Sequence, residues 1–382
     1  MTKDGSFKRA VRTRARATGE KYTQARAAME NDLLRERIAR PVQHEALKAH
    51  LEARYGINIT SLKVFDVDHP ATLIVDRSDG PAWVARVFSS TADSVERVEA
   101  DAEILRWLAT KGYPAERLAH PEPVSLLEQA GVAAASGDEH RFGSSRTMSV
   151  PVGTGVLVTE LVQGTRFPSS PGVQGRLGDL LGRLHAMPLA PGAVARDGGS
   201  FDHDPAHCGR PSCDLAAALN FLDTVQYRVD PERRDKFDWL RDQVLSADDC
   251  EGLPEAFTHA NYGDFNAIQS SDGELVIVGW SASGRAPRLP ALAWLLFCSG
   301  GGAEQIDAIT RAYARHVQVA DEELDRLEGA LMIRYLYLSC WYYWTSVSSG
   351  YTPSGGEGWW PDPAYAGRIA ERAIAAFRGG AK

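Results

Sequence analysis

Apolar and polar residues alternate along three short segments near the start of the chain. The segments are SLKVFDV (61–67), TLIVD (72–76) and AWVARVF (82–88), and HPA and RSDGP interrupt them. A period of two, with turn residues between the runs, is typical of neighbouring antiparallel strands. The pattern therefore predicts a small antiparallel sheet in this part of the chain.

A helical period replaces the alternation in residues 93–112, DSVERVEADAEILRWLATKG, where apolar residues recur every three or four positions and Gly112 ends the pattern. A Gly- and Ser-rich stretch, 130–150, is interpreted as a loop, and the apolar run GVLVTELV (155–162) as a buried strand. The rest of the chain is mostly helical in pattern. The predicted helices are 175–187, 214–229, 231–247, 289–300, 306–317, 324–347 and 364–377.

The order of these elements predicts a two-lobed α+β chain. At 382 residues the sequence exceeds what one hydrophobic core usually supports. We expect a basic helical extension over 1–42, a small lobe with the sheet and one helix over 43–158, and a helical lobe over 159–382. Two short helices, FKRAVRTRARA (7–17) and YTQARAAMENDLLRERIA (22–39), are predicted in the extension.

Charge is unevenly distributed along the chain. The formal net charge is -8, which argues against nucleic-acid binding over the whole surface, but residues 3–26 carry eight Lys and Arg against Asp4 and Glu20. Residues 1–40 are thus a candidate docking segment for a protein partner, with nucleic-acid contact as the alternative. No apolar run is long enough to cross a membrane and the N-terminus lacks an apolar signal core, so we expect a cytoplasmic protein.

The five cysteines are odd in number and widely spread, which favours a reducing compartment over a disulfide framework. Four residues of the types that bind zinc fall close together: His203, His207, Cys208 and Cys213. Neither a C-x-x-C pair nor a complete His and Cys pairing is present. We interpret the cluster as a polar loop that leads into a helix.

Six segments in a fixed order resemble the aminoglycoside phosphotransferase and choline kinase-like family over roughly residues 43–375. The resemblance implies a bilobal protein kinase-like fold, with ATP as phosphoryl donor and Mg²⁺ bridging phosphate oxygens. The segments are WVARVF, DAEILRWLATKGYPAER, GVLVTELVQGTRF, LGDLLGRLHAMP, FTHANYGDFNAI and ELVIVGWSASGRAPRLPALAWLLF.

The resemblance implies a nucleotide site built from three segments. Arg86 of WVARVF stands where the family offers a cation to the phosphates, and an arginine keeps that charge permanently. Its carboxylate partner would be Asp101, with Glu103 as the near alternative. The segment Thr159, Glu160 and Leu161 matches the hinge whose backbone holds an adenine.

The catalytic loop resembles H-x-D-x-x-x-x-N, with His259 and Asn266 at the expected spacing and Asn261 in place of the aspartate. Asp264 could act as the base if the register were slid. The thirteen residues from Asn266 to Gly279 favour the first register, because the family usually has that separation between its asparagine and its metal-binding aspartate.

That metal-binding position is the second departure from the family, since Val278, Gly279 and Trp280 replace I-D-W. Magnesium prefers carboxylate oxygens, and glycine has no side chain. The structural aspartate that often precedes Leu-Ala is also replaced, by Ala291. An alternative metal set would combine Asp264, Glu274 and Asn266.

Loss of a general base costs about 10²- to 10⁴-fold in rate, and loss of charge neutralisation by the metal costs more. The sequence therefore predicts a catalytically degenerate, pseudokinase-like member that binds a nucleotide, a small molecule or a peptide. Two alternatives remain open: an active ATP-dependent phosphotransferase acting on a small-molecule or peptide hydroxyl with altered site geometry, and docking through the N-terminal helices.

Late aromatic residues are candidates for an acceptor pocket, although half of them are expected in the core. They are Trp341, Tyr342, Tyr343, Trp344, Trp359 and Trp360.

Overall fold

The computed structural model describes residues 44–66, 69–88, 92–127, 154–165, 170–189, 197–198, 211–281, 283–349 and 363–379. The two predicted N-terminal helices, the Gly- and Ser-rich stretch and the pair Trp359 and Trp360 lie outside these residues. The chain divides into two compact units. The first comprises residues up to Val98 and Ala119–Leu161, and the second comprises Glu99–Leu118 and the chain from Val162 onward.

The first unit contains a five-stranded antiparallel sheet in the order β1-β2-β3-β5-β4. The three alternating segments and the later apolar run form strands, as predicted. The edge strand β4 and the helix α1 were not predicted. The bounds are α1 His44–Tyr55, β1 Ile59–Asp66, β2 His69–Arg77, β3 Trp83–Val87, β4 Val124–Leu127 and β5 Thr154–Glu160.

The core of the first unit forms between α1 and one face of the sheet. Leu47 and Leu51 of α1 are fully buried and belong to one cluster with Leu73, Val75 and other strand residues. The ring of Trp83 contacts Tyr55 edge-on, with centroids 5.6 Å apart. Alternation along the strands thus supplies the apolar face that α1 covers.

The second unit is predominantly helical, which confirms the predicted α+β class with an antiparallel-sheet lobe and a helical lobe. The helix α2, Ala92–Thr110, starts in residues of the first unit and continues into the second. The other helices are α3 Pro171–His185, α4 Pro211–Val225, α5 Pro231–Ser246, α6 Leu289–Cys298, α7 Ala303–Tyr313, α8 Asp321–Asp325, α9 Leu327–Ser349 and α10 Pro363–Gly379.

The segment 324–347 was predicted as one helix, but it contains parts of two helices. Arg326 separates α8 from α9 because its backbone leaves the helical region, with φ -101° and ψ 3°. Its guanidinium forms an ion pair with Asp248, which holds the break in place.

Short strands in the second unit frame the candidate site. Strands β6 Gly164–Thr165, β8 Ala267–Ser270 and β9 Leu275–Ile277 form one antiparallel sheet, and β7 Glu255–Thr258 pairs with β10 Gly284–Pro287.

The helix α3 lies close to α7 because glycine occupies the contact. Ser170 caps its first turn by accepting a hydrogen bond from the Val173 amide, and Pro171 follows at the first helical position. A Cβ at Gly178 would lie 2.6 Å from the Ile309 carbonyl oxygen. No side chain fits there, so glycine sets the separation of the two helices.

Candidate functional site

The candidate site is the catalytic loop, residues 259–266, together with the turn after β9. The loop leaves β7, forms a 3₁₀ turn at Asp264–Asn266 and enters β8. Antiparallel pairing of Ala267 with Ile277 brings the two segments side by side, and the Val278 amide donates to the Asn266 carbonyl at 2.9 Å. The separation of thirteen residues thus brings position 279 to Asn266.

His259 ties the loop to this turn. Its Nε2 lies 3.1 Å from the Val278 carbonyl oxygen, and its Nδ1 accepts the Asn261 amide at 3.1 Å. Because a carbonyl only accepts and an amide N–H only donates, the ring carries its hydrogen on Nε2. The buried ring also packs edge-on against Trp280, with centroids 4.7 Å apart. His259 therefore acts as a positioning residue for the loop.

Asn261 occupies the centre of the loop and both of its oxygens are engaged. Its carbonyl accepts the Asn266 side-chain amide at 2.8 Å, and its Oδ1 accepts the Trp294 indole N–H at 3.1 Å. A carboxamide does not accept a proton near neutral pH, so this side chain offers hydrogen bonding but no general base.

Gly279 has a backbone that favours glycine, with φ 83°. A Cβ there would lie 3.4 to 3.6 Å from the carboxamide atoms of Asn266, an ordinary contact distance. The position thus faces Asn266, as the resemblance implies for a pair of metal ligands, but it carries no ligand atom.

Glu116, which the sequence analysis did not select, lies against the same glycine. Its Oε1 accepts the Gly279 amide at 2.9 Å, and the residue is only 2% exposed. The two residues are 163 positions apart, so no local pattern marked this acid as buried. A carboxyl group therefore lies beside position 279, but its Oε1 is engaged by the Gly279 amide.

Asp264 contacts α3. Its Oδ2 lies 3.3 Å from the side-chain amide of Gln174, and the residue is half-buried. Desolvation raises the pKa of this carboxyl above its ordinary value, although hydrogen bonds from backbone amides and from Gln174 oppose the shift. A raised pKa suits a proton acceptor better than a metal ligand.

The residues at the loop do not fit a conventional Mg²⁺ site. Asn266 contributes one neutral oxygen, while magnesium usually takes one or two carboxylates. Glu274 is excluded from the alternative set because it lies at the far end of β8, about 13 Å from Asn266 for four residues of strand. Within the residues the structure describes, no group of three His, Cys, Asp or Glu could hold a metal ion.

The residues predicted to bind the nucleotide belong to both units. Arg86 and the segment Thr159–Leu161 are in the first unit, and Asp101 and Glu103 are in the second. Arg86 lies on β3, opposite Leu157 of β5, and is half-buried. At the end of β5, Thr159 is buried and Glu160 is exposed. The Leu161 amide donates to the Ala82 carbonyl at 3.0 Å, so an adenine would have to use other backbone groups of this segment.

The two acids predicted on α2 differ in burial. Asp101 is 3% exposed, whereas Glu103 lies on the surface. A buried carboxylate is stable only with a partner, which makes Asp101 the better candidate for an ion pair. Both assignments remain predictions.

The late aromatic residues on α9 divide between core and partial exposure. Tyr343 is buried and its hydroxyl donates to the Arg233 carbonyl at 3.1 Å, and Trp344 lies 5.8 Å from Phe221 between ring centroids. Trp341 and Tyr342 are half-exposed and contact each other.

The cysteines depart from expectation at one position. Cys213, near the start of α4, is disulfide-bonded, and Cys250, Cys298 and Cys340 are free thiols. The remaining members of the predicted His and Cys cluster lie outside the described residues.

In the described part of the chain, no helix combines the length and apolarity needed to span a bilayer.

The chain belongs to the APH phosphotransferase enzyme family, whose family model matches residues 66–328. This confirms the resemblance from the catalytic-loop and strand motifs. No curated protein matches the sequence.

Solved structures of kinases have the same protein kinase-like fold. A choline kinase from Streptococcus pneumoniae, in its complex with AMP, is 12% identical, with 88% of this chain and 98% of that chain covered and a TM-score of 0.52. A choline/ethanolamine kinase family protein from Mesorhizobium loti is 17% identical, with coverages of 88% and 99% and a TM-score of 0.51.

A third structure, an amicoumacin kinase in complex with AMP-PNP, Ca²⁺ and Ami, is 12% identical, with coverages of 88% and 96% and a TM-score of 0.52. At these identities the similarity establishes the fold.

Proposed function

We propose that the chain is a degenerate phosphotransferase that binds a nucleotide without catalysing magnesium-dependent phosphoryl transfer at ordinary rates. The observation that carries the proposal is the pairing of Gly279 with Asn266. The backbone places these positions in contact, but neither supplies a carboxylate. Asn261 at the centre of the loop removes the general base as well.

Nucleotide binding is supported by the family and by ligands of similar proteins. The choline kinase was solved with AMP and the amicoumacin kinase with AMP-PNP. Binding of the nucleotide relies on backbone groups and cations as well as on metal, so it can outlast loss of catalysis. In this proposal Arg86 contacts the phosphates, with Asp101 as its partner, and the segment Thr159–Leu161 contacts the adenine. The occupant of the acceptor side is a small molecule or a peptide.

Thermal unfolding of the full chain during an ATP titration, with and without Mg²⁺, tests the proposal. A ligand at about 100 times its dissociation constant adds about 2.7 kcal/mol to the free energy of unfolding. We expect ATP to raise Tm equally in the presence and absence of Mg²⁺. A Tm shift that requires Mg²⁺ in the natural sequence would contradict the proposal.

Two double variants make this experiment specific. Asn261→Asp combined with Gly279→Asp returns both carboxylates, and we expect the double variant to acquire a magnesium-dependent ATP shift. Asn261→Asp with Gly279→Asn is the matched control, because Asn has the size of Asp and also tolerates positive φ but brings no charge. The control should keep the magnesium-independent response.

A second candidate function, an active phosphotransferase that uses Asp264 as its base, is favoured by the raised pKa of that carboxyl. It requires phosphoryl transfer to a small-molecule or peptide hydroxyl. Asp264→Ala should then abolish ATP turnover measured with an acceptor library, while Asp272→Ala on the exposed β8–β9 turn should leave turnover unchanged. Absence of turnover in the natural sequence would exclude this candidate.

A further inference from the structure

A groove of about 720 Å³ runs between α3 and α7, and none of its lining residues belongs to the catalytic loop. The turn at Gly112 and Pro114 and the β8–β9 turn at Glu274 and Leu275 complete its walls. The whole groove lies within the second unit. No role was assigned to it in the candidate site.

Arginines from both helices line this groove at helical spacing. On α3, Arg176, Asp179 and Arg183 follow one another at three and four residues and so share a face. On α7 and the turn after it, Arg311 and Arg315 are four residues apart. We call this site the arginine groove, defined by Arg176, Arg183, Arg311 and Arg315.

Two of the four arginines already have protein acceptors. Arg315 donates to Asp179 at 2.8 Å, and Arg176 donates to the Gly273 carbonyl at 3.0 Å. Among the described residues, Arg183 and Arg311 have no ion pair or hydrogen bond. Four cations thus face two acids, Asp179 and Glu274, in a protein whose formal net charge is -8.

Small residues keep the groove open at the first turn of α3. A Cβ at Gly172 would meet no atom within 4 Å, and one at Gly175 would only touch the Cβ of Ala308 at 3.5 Å. The positive end of the α3 dipole adds to the charge of the arginines. Leu180 and Ala312 provide an apolar floor.

We propose that the arginine groove binds a small molecule that carries phosphate groups. A guanidinium presents planar, paired donors that match phosphate oxygens, and it is weakly hydrated. The volume lies in the range of small-molecule sites, about 300 to 1,000 Å³. The chain's own N-terminal segment is not the occupant, because its excess of Lys and Arg would be repelled. None of the lining residues belongs to the proposed nucleotide site, and this proposal does not depend on that site.

Calorimetric titration of the full chain with inorganic pyrophosphate tests the proposal. We expect Arg183→Gln and Arg311→Gln each to weaken pyrophosphate binding by about 10- to 100-fold, as for loss of a hydrogen bond to a charged group. Arg228→Gln is the matched control, because this exposed arginine lies outside the groove and its loss changes the net charge equally. Unchanged affinity in both groove variants would overturn the proposal.

Two further arms separate phosphate recognition from charge alone. Arg183→Lys keeps the cation but loses the paired donors, and it should weaken binding by a smaller factor than Arg183→Gln. Citrate, a tricarboxylate, should bind more weakly than pyrophosphate. Equal binding of citrate with the same arginine dependence would show a general polyanion site and contradict the phosphate assignment. Each variant is first checked for an unchanged Tm.

Discussion

The catalytic loop and the arginine groove both lie against α3, and they differ in where their charged groups are used. At the loop, the Tyr262 hydroxyl donates to the Leu177 carbonyl of α3 and Gln174 donates to Asp264. Hydrogen bonds hold the loop in place, but Asn261 and Asn266 present neutral carboxamides. In the groove, the charges are present, and within the described part of the chain Arg183 and Arg311 have no ion pair or hydrogen bond. The hydrogen bonds that position the catalytic loop can therefore persist without its catalytic carboxylates, while a second site on the same helix contains several charged side chains.

The two aspartates that contact or belong to α3 show the same contrast. Desolvation raises the pKa of Asp264. Burial would also raise the pKa of Asp179, but hydrogen bonds and charges from His316 and Arg315 outweigh it and lower the pKa. The surroundings of Asp264 therefore disfavour its charged form, whereas the cations around Asp179 favour its charged form.

Gly178→Ala should have the largest effect, because α3 is shared by both regions. The new Cβ would fall 2.6 Å from a backbone oxygen and 2.8 Å from a backbone Cα of Ile309. We expect a loss of about 1 to 3 kcal/mol in the free energy of unfolding, measured by urea denaturation. Pyrophosphate binding in the groove should weaken as well.

Gly175→Ala on the same helix is the control for the stability effect of this substitution only, because Gly175 lines the groove. Its Cβ would make only an ordinary contact with Ala308, and alanine favours the helix by up to about 1 kcal/mol. If Gly178→Ala left both the free energy of unfolding and pyrophosphate binding unchanged, the close packing of α3 against α7 would not be what supports the two regions.

Asp264→Asn should stabilise the protein by less than about 1 kcal/mol at neutral pH, because the carboxylate is only half-buried. A raised folded pKa gives stability below the ordinary value of 3.8 that is lost as pH rises through the folded pKa. The variant should therefore exceed the natural sequence in Tm at pH 7 and match it at the acid end. A variant less stable at pH 7 would show that the charge of Asp264 is favourable.

Asp179→Asn should have the opposite sign and the smallest effect on stability. A lowered folded pKa gives stability above pH 3.8 that is lost as pH falls through the folded pKa, so the variant should be less stable at pH 7 and converge below pH 3.8. It also removes an acid from the groove, so pyrophosphate should bind more tightly. Weaker pyrophosphate binding would argue that Asp179 organises the groove rather than competing for its arginines.

Much of the architecture was predictable because its signals are local. The alternation in SLKVFDV and TLIVD predicted β1 and β2, and the period in residues 93–112 predicted α2. The short strand β4 was not predicted, because four residues directly after Pro123 carry little periodicity. The break at Arg326 coincides with an ion pair to Asp248, 78 positions away, which no local pattern reveals.

The candidate site, like the fold, was predictable only where its signal lies in a short stretch of sequence. The resemblance paired Asn266 with Gly279 through the thirteen-residue separation usual in the family, and the β8–β9 hairpin converts that separation into contact. The buried Glu116 and the arginine groove depend on packing between distant segments. Arg183 and Arg311 are 128 positions apart in the sequence, and they line one groove only because α3 and α7 pack side by side.

The conformation of Gly279 also bears on how the family's chemistry could return. Aspartate and asparagine are the non-glycine residues that best tolerate positive φ, and the space beside Asn266 accepts a Cβ at contact distance. In the genetic code, a glycine codon that ends in a pyrimidine becomes an aspartate codon by a single base change, as does every asparagine codon. The backbone at this turn can thus accept an aspartate at position 279, and a single base change would supply a carboxylate at position 261.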